Sequence, residues 1–185
     1  FEANAKKHEY NLSEANKILD GDGWVWGDDG IREKKGEKLT FEIFTTDWPE
    51  LAKTADILRE QWKAVGADAT GNVLSVSDLQ QNYIRPREYD SLLFGQIISF
   101  DPDLYYSWHS SQKRDPGLNL SSFDNSKADT LLEDIRTSLD KNDRIKKLQE
   151  LQDIMADENP AIFLYSPYYI YPVASKVKGI ETQNV

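Results

Sequence analysis

Cysteine is absent from the 185 residues, which excludes disulfides, thiol nucleophiles and cysteine-ligated zinc or iron–sulfur centres. Histidine is almost as scarce, with only His8 and His109. A Ser-His-Asp site would have to use one of them, and no Gly-x-Ser-x-Gly elbow presents a serine. The phosphate-cradling patterns Gly-x-Gly-x-x-Gly and Gly-x-x-x-x-Gly-Lys-Ser/Thr are missing too. There is no apolar run of about 18 residues, the length a spanning helix needs. Nor is a signal peptide visible in the opening Phe-Glu-Ala-Asn-Ala-Lys-Lys-His, an abrupt start that fits an excised fragment. Positive charge is in deficit: the net charge is −10 and the pI about 4.7, with lysine and arginine scattered. Such a chain repels phosphate backbones, so nucleic acid is not an expected partner.

What is present can build a core. Hydrophobic residues make up 39% and aromatic residues 11%, enough for one compact domain or a large lobe of a longer protein. Ser13 is placed to cap a short helix over 14–20, after which Gly21, Gly23, Gly27 and Gly30 puncture a loop holding Trp24 and Trp26. Asp20-Gly-Asp22-Gly-Trp24 opens like a calcium loop, but tryptophan stands at the third ligand position and the closing glutamate is misplaced, so it reads as a turn. Leu39 to Phe44 alternates as a half-buried strand. Asp47 and Pro49 then open a helix carrying Leu51, Ala55, Leu58, Trp62 and Val65 to Gly66 at its end. With a second strand over 67–74, these form a βαβ unit with a right-handed crossover.

Ser75 to Asp78 reads as a capping box, and so does Ser126 to Asp129. The second opens a helix with Ala128, Leu131, Leu132, Ile135 and Leu139 on one face. Asp140 caps the next, whose stripe is Ile145, Leu148, Leu151, Gln152 and Met155 up to Asn159-Pro160. The two make an αα-hairpin over one face of a sheet. Between them and the βαβ unit lies a polar loop, 110–122, and beyond them 161–173 reads as extended, with Pro167 and Pro172 confining it to an edge or a bend.

The stretch from Tyr89 to His109 is the candidate edge of a binding cleft. An apolar strand over Leu92 to Ile98, interrupted by Gly95 and Gln96, breaks at Asp101-Pro102-Asp103 into a Tyr/Trp-rich segment. Glycine there admits a ligand or another backbone, and glutamine can hydrogen-bond it. His109 with Asp101 and Asp103 matches no metal-ligand spacing; capping aspartates followed by a solvated histidine is the plainer reading. For Phe100, Tyr105, Tyr106 and Trp108, packing under the following loop and contact with a ligand are equally open. No metal or cofactor is expected. Two rival classes stand beside a binding lobe: an acidic hydrolase using His109 and Asp101, and a carbohydrate-binding module with stacking aromatics.

Taken in order, several pieces resemble the second, smaller lobe of the family 5 extracellular solute-binding proteins, the peptide- and nickel-binding components of ABC importers. They are Tyr10-Asn-Leu-Ser-Glu-Ala-Asn-Lys-Ile-Leu with Gly23-Trp24, then Gly30-Ile-Arg32 with Gly36 and the Leu39 strand. Asp101-Pro-Asp103 leading to Trp108-His-Ser-Ser follows. The most specific part is Asn119 through Asp129, Leu131-Leu132, Asp140, Arg144 and Leu148 to Asn159-Pro160-Ala-Ile-Phe-Leu-Tyr. The resemblance implies an α/β, periplasmic-binding-protein-like (type II) lobe with a mixed sheet, a βαβ unit and flanking helices. Residues 1–185 would be this single lobe, closing by hinge motion on a missing N-terminal lobe of the same chain. It further implies no enzyme activity, a small solute or oligopeptide as ligand and an ABC permease as membrane partner. A periplasmic or cell-surface location follows, with lipid anchoring through the missing N-terminus as one arrangement. The ligand contacts it points to are Gln96, Ile97, Ser99, Phe100 and Asp101, then Tyr105, Trp108 and Asn119. In the peptide binders an aspartate pairs with the ligand's amino terminus; its position falls at or beside Ser99, and serine supplies no charge. That departure leaves sugars, other oligomers and metal chelates open beside peptides. If the other wall of the cleft lies outside this chain, the side chains from Gln96 to Phe100 should be exposed.

Overall fold

Alternation around Leu39 to Phe44 does produce the central strand, set slightly later than the pattern suggests. The computed structural model describes residues 9–97, 103–168, 170–174 and 176–179. Helix α1 (Leu12–Gly21) leads into an antiparallel meander of β1 (Val25–Trp26), β2 (Arg32–Lys34) and β3 (Glu37–Lys38). Then come β4 (Thr40–Thr46), α2 (Pro49–Lys63) and β5 (Asp68–Leu74), the expected βαβ unit. Helix α3 (Val76–Leu79) runs on into a wider π turn, Gln80–Ile84, before β6 (Ser91–Leu92). The order of the second sheet is β5-β4-β6, with β4 parallel to both neighbours. Short helix α4 (Tyr105–Trp108) and a 3₁₀ turn (Ser110–Gln112) precede α5 (Ser126–Thr137) and α6 (Lys141–Glu158), which form the expected αα-hairpin but bury its apolar face against α4 and Phe123 rather than on a face of the sheet. Parallel and antiparallel pairing both occur, each in its own small sheet.

Two apolar clusters hold these parts. Ile43 of β4, Ala55 of α2 and Leu93 are buried together, with Leu51, Leu58 and Trp62 against them. Phe123, Ala128, Leu131, Leu132 and Leu151 form the second, covered by Leu104, Tyr105, Trp108, Ile135, Ile154 and Met155. Helix α2 ends as anticipated: Ala67 N–H reaches Trp62 O and Gly66 N–H reaches Lys63 O, both at 3.0 Å, with Gly66 at φ +80°. A Cβ on Gly66 would stand 2.7 Å from Arg32 Cγ and 2.8 Å from the Trp26 ring, so glycine is required twice over.

Several local expectations give way to competing groups. Asn11, two residues before Ser13, caps α1 by accepting from Glu14 N–H at 2.9 Å. Asn125 caps α5 in place of Ser126, because its Oδ1 reaches both Lys127 and Ala128 N–H at 3.0 Å. Asp47 does not cap α2; the cap position falls on Trp48, which makes no side-chain bond there, while Asp47 N–H joins Leu74 O. Ser75 and Asp140 do cap as expected. Leu139 lies beyond the end of α5 and is fully exposed, and Ile145 is exposed as well, so the α6 stripe centres on Leu151. The apolar run after β6 leaves the sheet at Leu93, five residues sooner than expected, because only Ile43 and Phe44 of β4 pair with it. Residues 162–168 and 170–174 pair in no strand and carry their apolar side chains outward.

The meander is pinned by one side chain. Arg32 has 0% exposure, and its guanidinium donates to Val65 O (2.8 Å), Trp24 O (2.5 Å), Asn16 Oδ1 (2.8 Å) and Asp20 Oδ1 (2.6 Å). The Trp26 ring covers it at 4.6 Å. It thereby ties α1, β1 and the end of α2 together, which glycine content and tryptophans alone do not convey. Arg32→Met keeps the volume and removes every donor, stranding the part-buried Val65 and Trp24 carbonyls. Thermal unfolding should then show a loss of about 3 kcal/mol, whereas Lys17→Met on the exposed face of α1 should change stability by less than about 0.5 kcal/mol.

Candidate functional site

Because β4, β5 and β6 run the same way, their carboxyl ends (Thr46, Leu74 and Leu92) share one edge of the sheet. In open α/β sheets that edge is where ligands sit, since side chains and helix starts converge there without filling it. Leu93 is the last buried residue of the third strand's path, and its carbonyl takes the Thr45 hydroxyl at 2.9 Å. Phe94, Gly95, Gln96 and Ile97 are then all exposed, Ile97 completely. A Cβ on Gly95 would meet nothing within 4 Å, so no neighbour in the described chain demands glycine there. Gln96 Nε2 donates to Ser107 Oγ at 3.3 Å, linking this edge to α4. Asp47, Trp48 and Ser75 emerge at the same edge and are exposed. Ser99, Phe100 and Asp101 lie outside the described residues.

Beyond that gap, Asp103 accepts from Tyr105 N–H at 3.2 Å, while the cap position of α4 falls on Leu104, which makes no side-chain bond there. It also pairs with Arg136 at 3.2 Å. The Arg136 guanidinium lies 4.5 Å over the Tyr105 ring and 5.4 Å from that of Tyr106. His109 stacks on the Tyr105 ring at 4.2 Å. Tyr105 and Trp108 are thus half-buried and packed on the second cluster, while Tyr106 is exposed.

His109 is not the solvated residue anticipated. Only 7% of it is exposed, because Tyr105 covers its face and α5 closes its edge. Nδ1 accepts from Ser111 N–H at 3.1 Å, and Nε2 points at Glu133 Oε1 (3.4 Å) and Asp129 Oδ1 (3.9 Å) without a hydrogen bond. A general base must reach a substrate's proton, and here Nε2 is sealed from solvent while Nδ1 is engaged by Ser111. Among the described residues no group of three or more His, Asp or Glu side chains forms a metal site.

The polar loop over 110–122 proves to be held side chain by side chain. Asn119 has 0% exposure: its Nδ2 donates to His109 O (3.1 Å), Phe123 O (2.9 Å) and Trp108 O (3.3 Å), and its Oδ1 accepts from Phe123 N–H (3.0 Å). Anticipated as a ligand contact, Asn119 instead spends its whole amide on the loop. Asp129, anticipated in a capping box, accepts from Ser110 N–H and Oγ. Arg87, at φ +65°, sends its guanidinium to Lys113 O (3.0 Å), Gly117 O (2.6 Å) and Ile84 O. Tyr89 donates its phenol to Leu120 O. Nothing local in the sequence signals these bonds, since apart from Ile84 O the acceptors are backbone carbonyls 26 to 31 residues away. Burial raises the Tyr89 phenol above its ordinary pKa, opposed by the Arg87 charge.

Comparison with known proteins places this geometry. The family model "Bacterial extracellular solute-binding proteins, family 5 Middle" matches residues 1–117. The oligopeptide-binding protein AppA of Bacillus subtilis (strain 168) is 30% identical over 164 residues, covering 87% of this chain and 30% of AppA. The structure of Bacillus subtilis AppA in complex with a nonapeptide superposes with a TM-score of 0.78 at 27% identity, covering 86% of this chain and 32% of that one. NikZ from Campylobacter jejuni in complex with Ni(L-His) gives 0.75 at 25% identity, over 84% and 32%. The chain spans about a third of the length of these relatives. Its fold is the type II periplasmic-binding-protein-like α/β arrangement.

Asn119→Ala takes the side-chain partner from Phe123 N–H and from the Trp108 and Phe123 carbonyls, and should cost about 2–4 kcal/mol in thermal or denaturant unfolding. Tyr89 gives a pH signature. Its folded pKa is raised, so the stability it contributes is intact below the ordinary tyrosine value and is lost as the pH climbs through the folded one. Melting curves between about pH 9 and pH 11 should fall more steeply for the native sequence than for Tyr89→Phe.

Proposed function

The chain belongs to family 5 of the bacterial extracellular solute-binding proteins, and on that footing we propose that it forms one wall of a two-lobed solute clamp. The carrying observation is the unpaired carboxyl edge of the parallel sheet: Phe94 to Ile97 leave the core exposed, and Gly95 has open space where a side chain would stand. An edge of that kind is costly to leave in water as an endpoint, and suits a surface that is covered only when ligand and a second wall close over it. The ligand is an oligopeptide or a solute of similar extended, polar shape, held between this lobe and a larger one elsewhere in the full-length protein. The protein delivers it to an ABC permease from outside the cytoplasm.

Its work is differential binding: ligand stabilises the closed arrangement of the lobes over the open one, and no bond is made or broken. The sealed position of His109 supports this over a hydrolase centred on that residue. Among the described residues of the edge, Gln96 supplies a hydrogen-bonding amide and Ile97 apolar contact, with Tyr105 and Trp108 seating α4 on the helical cluster behind it. The resemblance puts the peptide binders' aspartate at or beside Ser99, and with serine there recognition falls to backbone hydrogen bonds and side-chain pockets.

Titration of the full-length protein by calorimetry, with a nonapeptide in one arm and Ni(L-His) in the other, tests this. Micromolar or tighter binding of the nonapeptide is expected, of order −8 kcal/mol, with at least a hundredfold loss when residues 1–185 are used alone. Undiminished binding by the isolated chain would refute the two-wall reading; preference for Ni(L-His) would move the ligand class from peptide to metal chelate.

A further inference from the structure

Trp48 is the residue whose placement the fold itself does not explain. It occupies the N-cap of α2, where serine, threonine, asparagine and aspartate stabilise a helix by accepting from the first turn, and it makes no such bond. The chain knows how to do this: Asn11, Asn125 and Asp140 cap the other described helices of ten residues or more. Nor does packing account for it. The side chain is 62% exposed, and no ring or cation contact among the described residues involves it. A tryptophan that forgoes a cap and gains no burial is a local rule broken without compensation inside the chain, the pattern expected at a functional position.

Its location says for what. β4 is the central strand, and Trp48 is the second residue after its end. The register that sets Phe44 beside Leu92 carries Trp48 and Gln96 out of the sheet at the same edge, from adjacent parallel strands. On the other side Ser75 follows β5 and stands level with Asp47, one residue before Trp48, in the register that sets Thr46 beside Leu74. An indole there offers a flat apolar face and one N–H donor, which together take an apolar or planar side chain of an extended ligand.

We propose that Trp48 is a ligand-contacting, specificity-determining residue: it forms the side-chain pocket of this wall and selects peptides bearing a bulky apolar or aromatic residue at the position above β4. This deepens the oligopeptide reading and rests on it. The price of a missing cap on α2 is what the binding role costs the fold.

The test uses the full-length protein and two nine-residue peptides identical except that one carries phenylalanine at alternate positions where the other carries alanine. Calorimetry should show the native protein binding both, the phenylalanine peptide more tightly. Trp48→Ala should weaken the phenylalanine peptide about tenfold and the alanine peptide much less. Trp48→Asp should weaken it comparably while melting no lower than the native protein, because aspartate restores the cap; that separates lost contact from lost fold. Unchanged affinity of both variants for the phenylalanine peptide would overturn the assignment with the oligopeptide reading intact. Failure of the native protein to bind either peptide would overturn the oligopeptide reading, and the assignment with it.

Discussion

A loop without regular structure can be a rigid part only if its backbone groups find partners one at a time, and the loop between α4 and α5 is rigid because Asn119 supplies four of them. Buried away from water, that amide bridges the end of α4 (Trp108 and His109 carbonyls) to both backbone groups of Phe123, a residue of the helical core. Arg87 and Tyr89 fasten the same loop from the sheet side, at Lys113, Gly117 and Leu120. Arg87 adopts a left-handed backbone to do so, a strain of about 1–2 kcal/mol that three charge-assisted bonds offset. The part of the carboxyl edge contributed by α4 depends on this stitching, because it sets α4 and its aromatic rings relative to the strands. Gln96 and Ser107 meet across the resulting junction.

That rigidity has a functional sense. A clamp gains affinity when its walls are already shaped, since less freedom is lost on binding. In this chain the two apolar clusters and the Asn119 loop are the fixed parts, and the edge from Phe94 to Ile97 is the part left uncovered. The meander is fixed independently by Arg32, so the sheet edge and the region leading into it do not rely on one device. The acidic surface carries the pairs Asp22–Lys34, Asp29–Lys38 and Asp143–Lys147, in which the lysine holds each carboxylate below its usual range.

The sequence was most legible where one periodicity ruled. The βαβ unit, the paired helices α5 and α6, the Asp140 and Ser75 caps and the glycine ending α2 all follow from side-chain spacing and turn chemistry. It was least legible where a polar side chain satisfies distant backbone. Arg32, Arg87 and Asn119 look like surface residues in a list, and only the fold shows their carbonyl partners. Caps slipped by one or two residues because several asparagines, serines and aspartates stand together and the nearest in space wins. The strand after Tyr89 read too long, since an apolar run looks the same whether a neighbour strand continues beside it or ends. His109 read as solvated because nothing local announces that Tyr105 and α5 will close over it.

Hydrogen–deuterium exchange on the full-length protein, with and without a bound nonapeptide, puts the central claim to its most direct trial. If the carboxyl edge is the wall of the clamp, ligand should slow exchange across residues 46–50 and 94–108 and leave the outer face of α2, around Asp56 and Glu60, unchanged. Slowed exchange on that outer face with none at the edge would contradict the account.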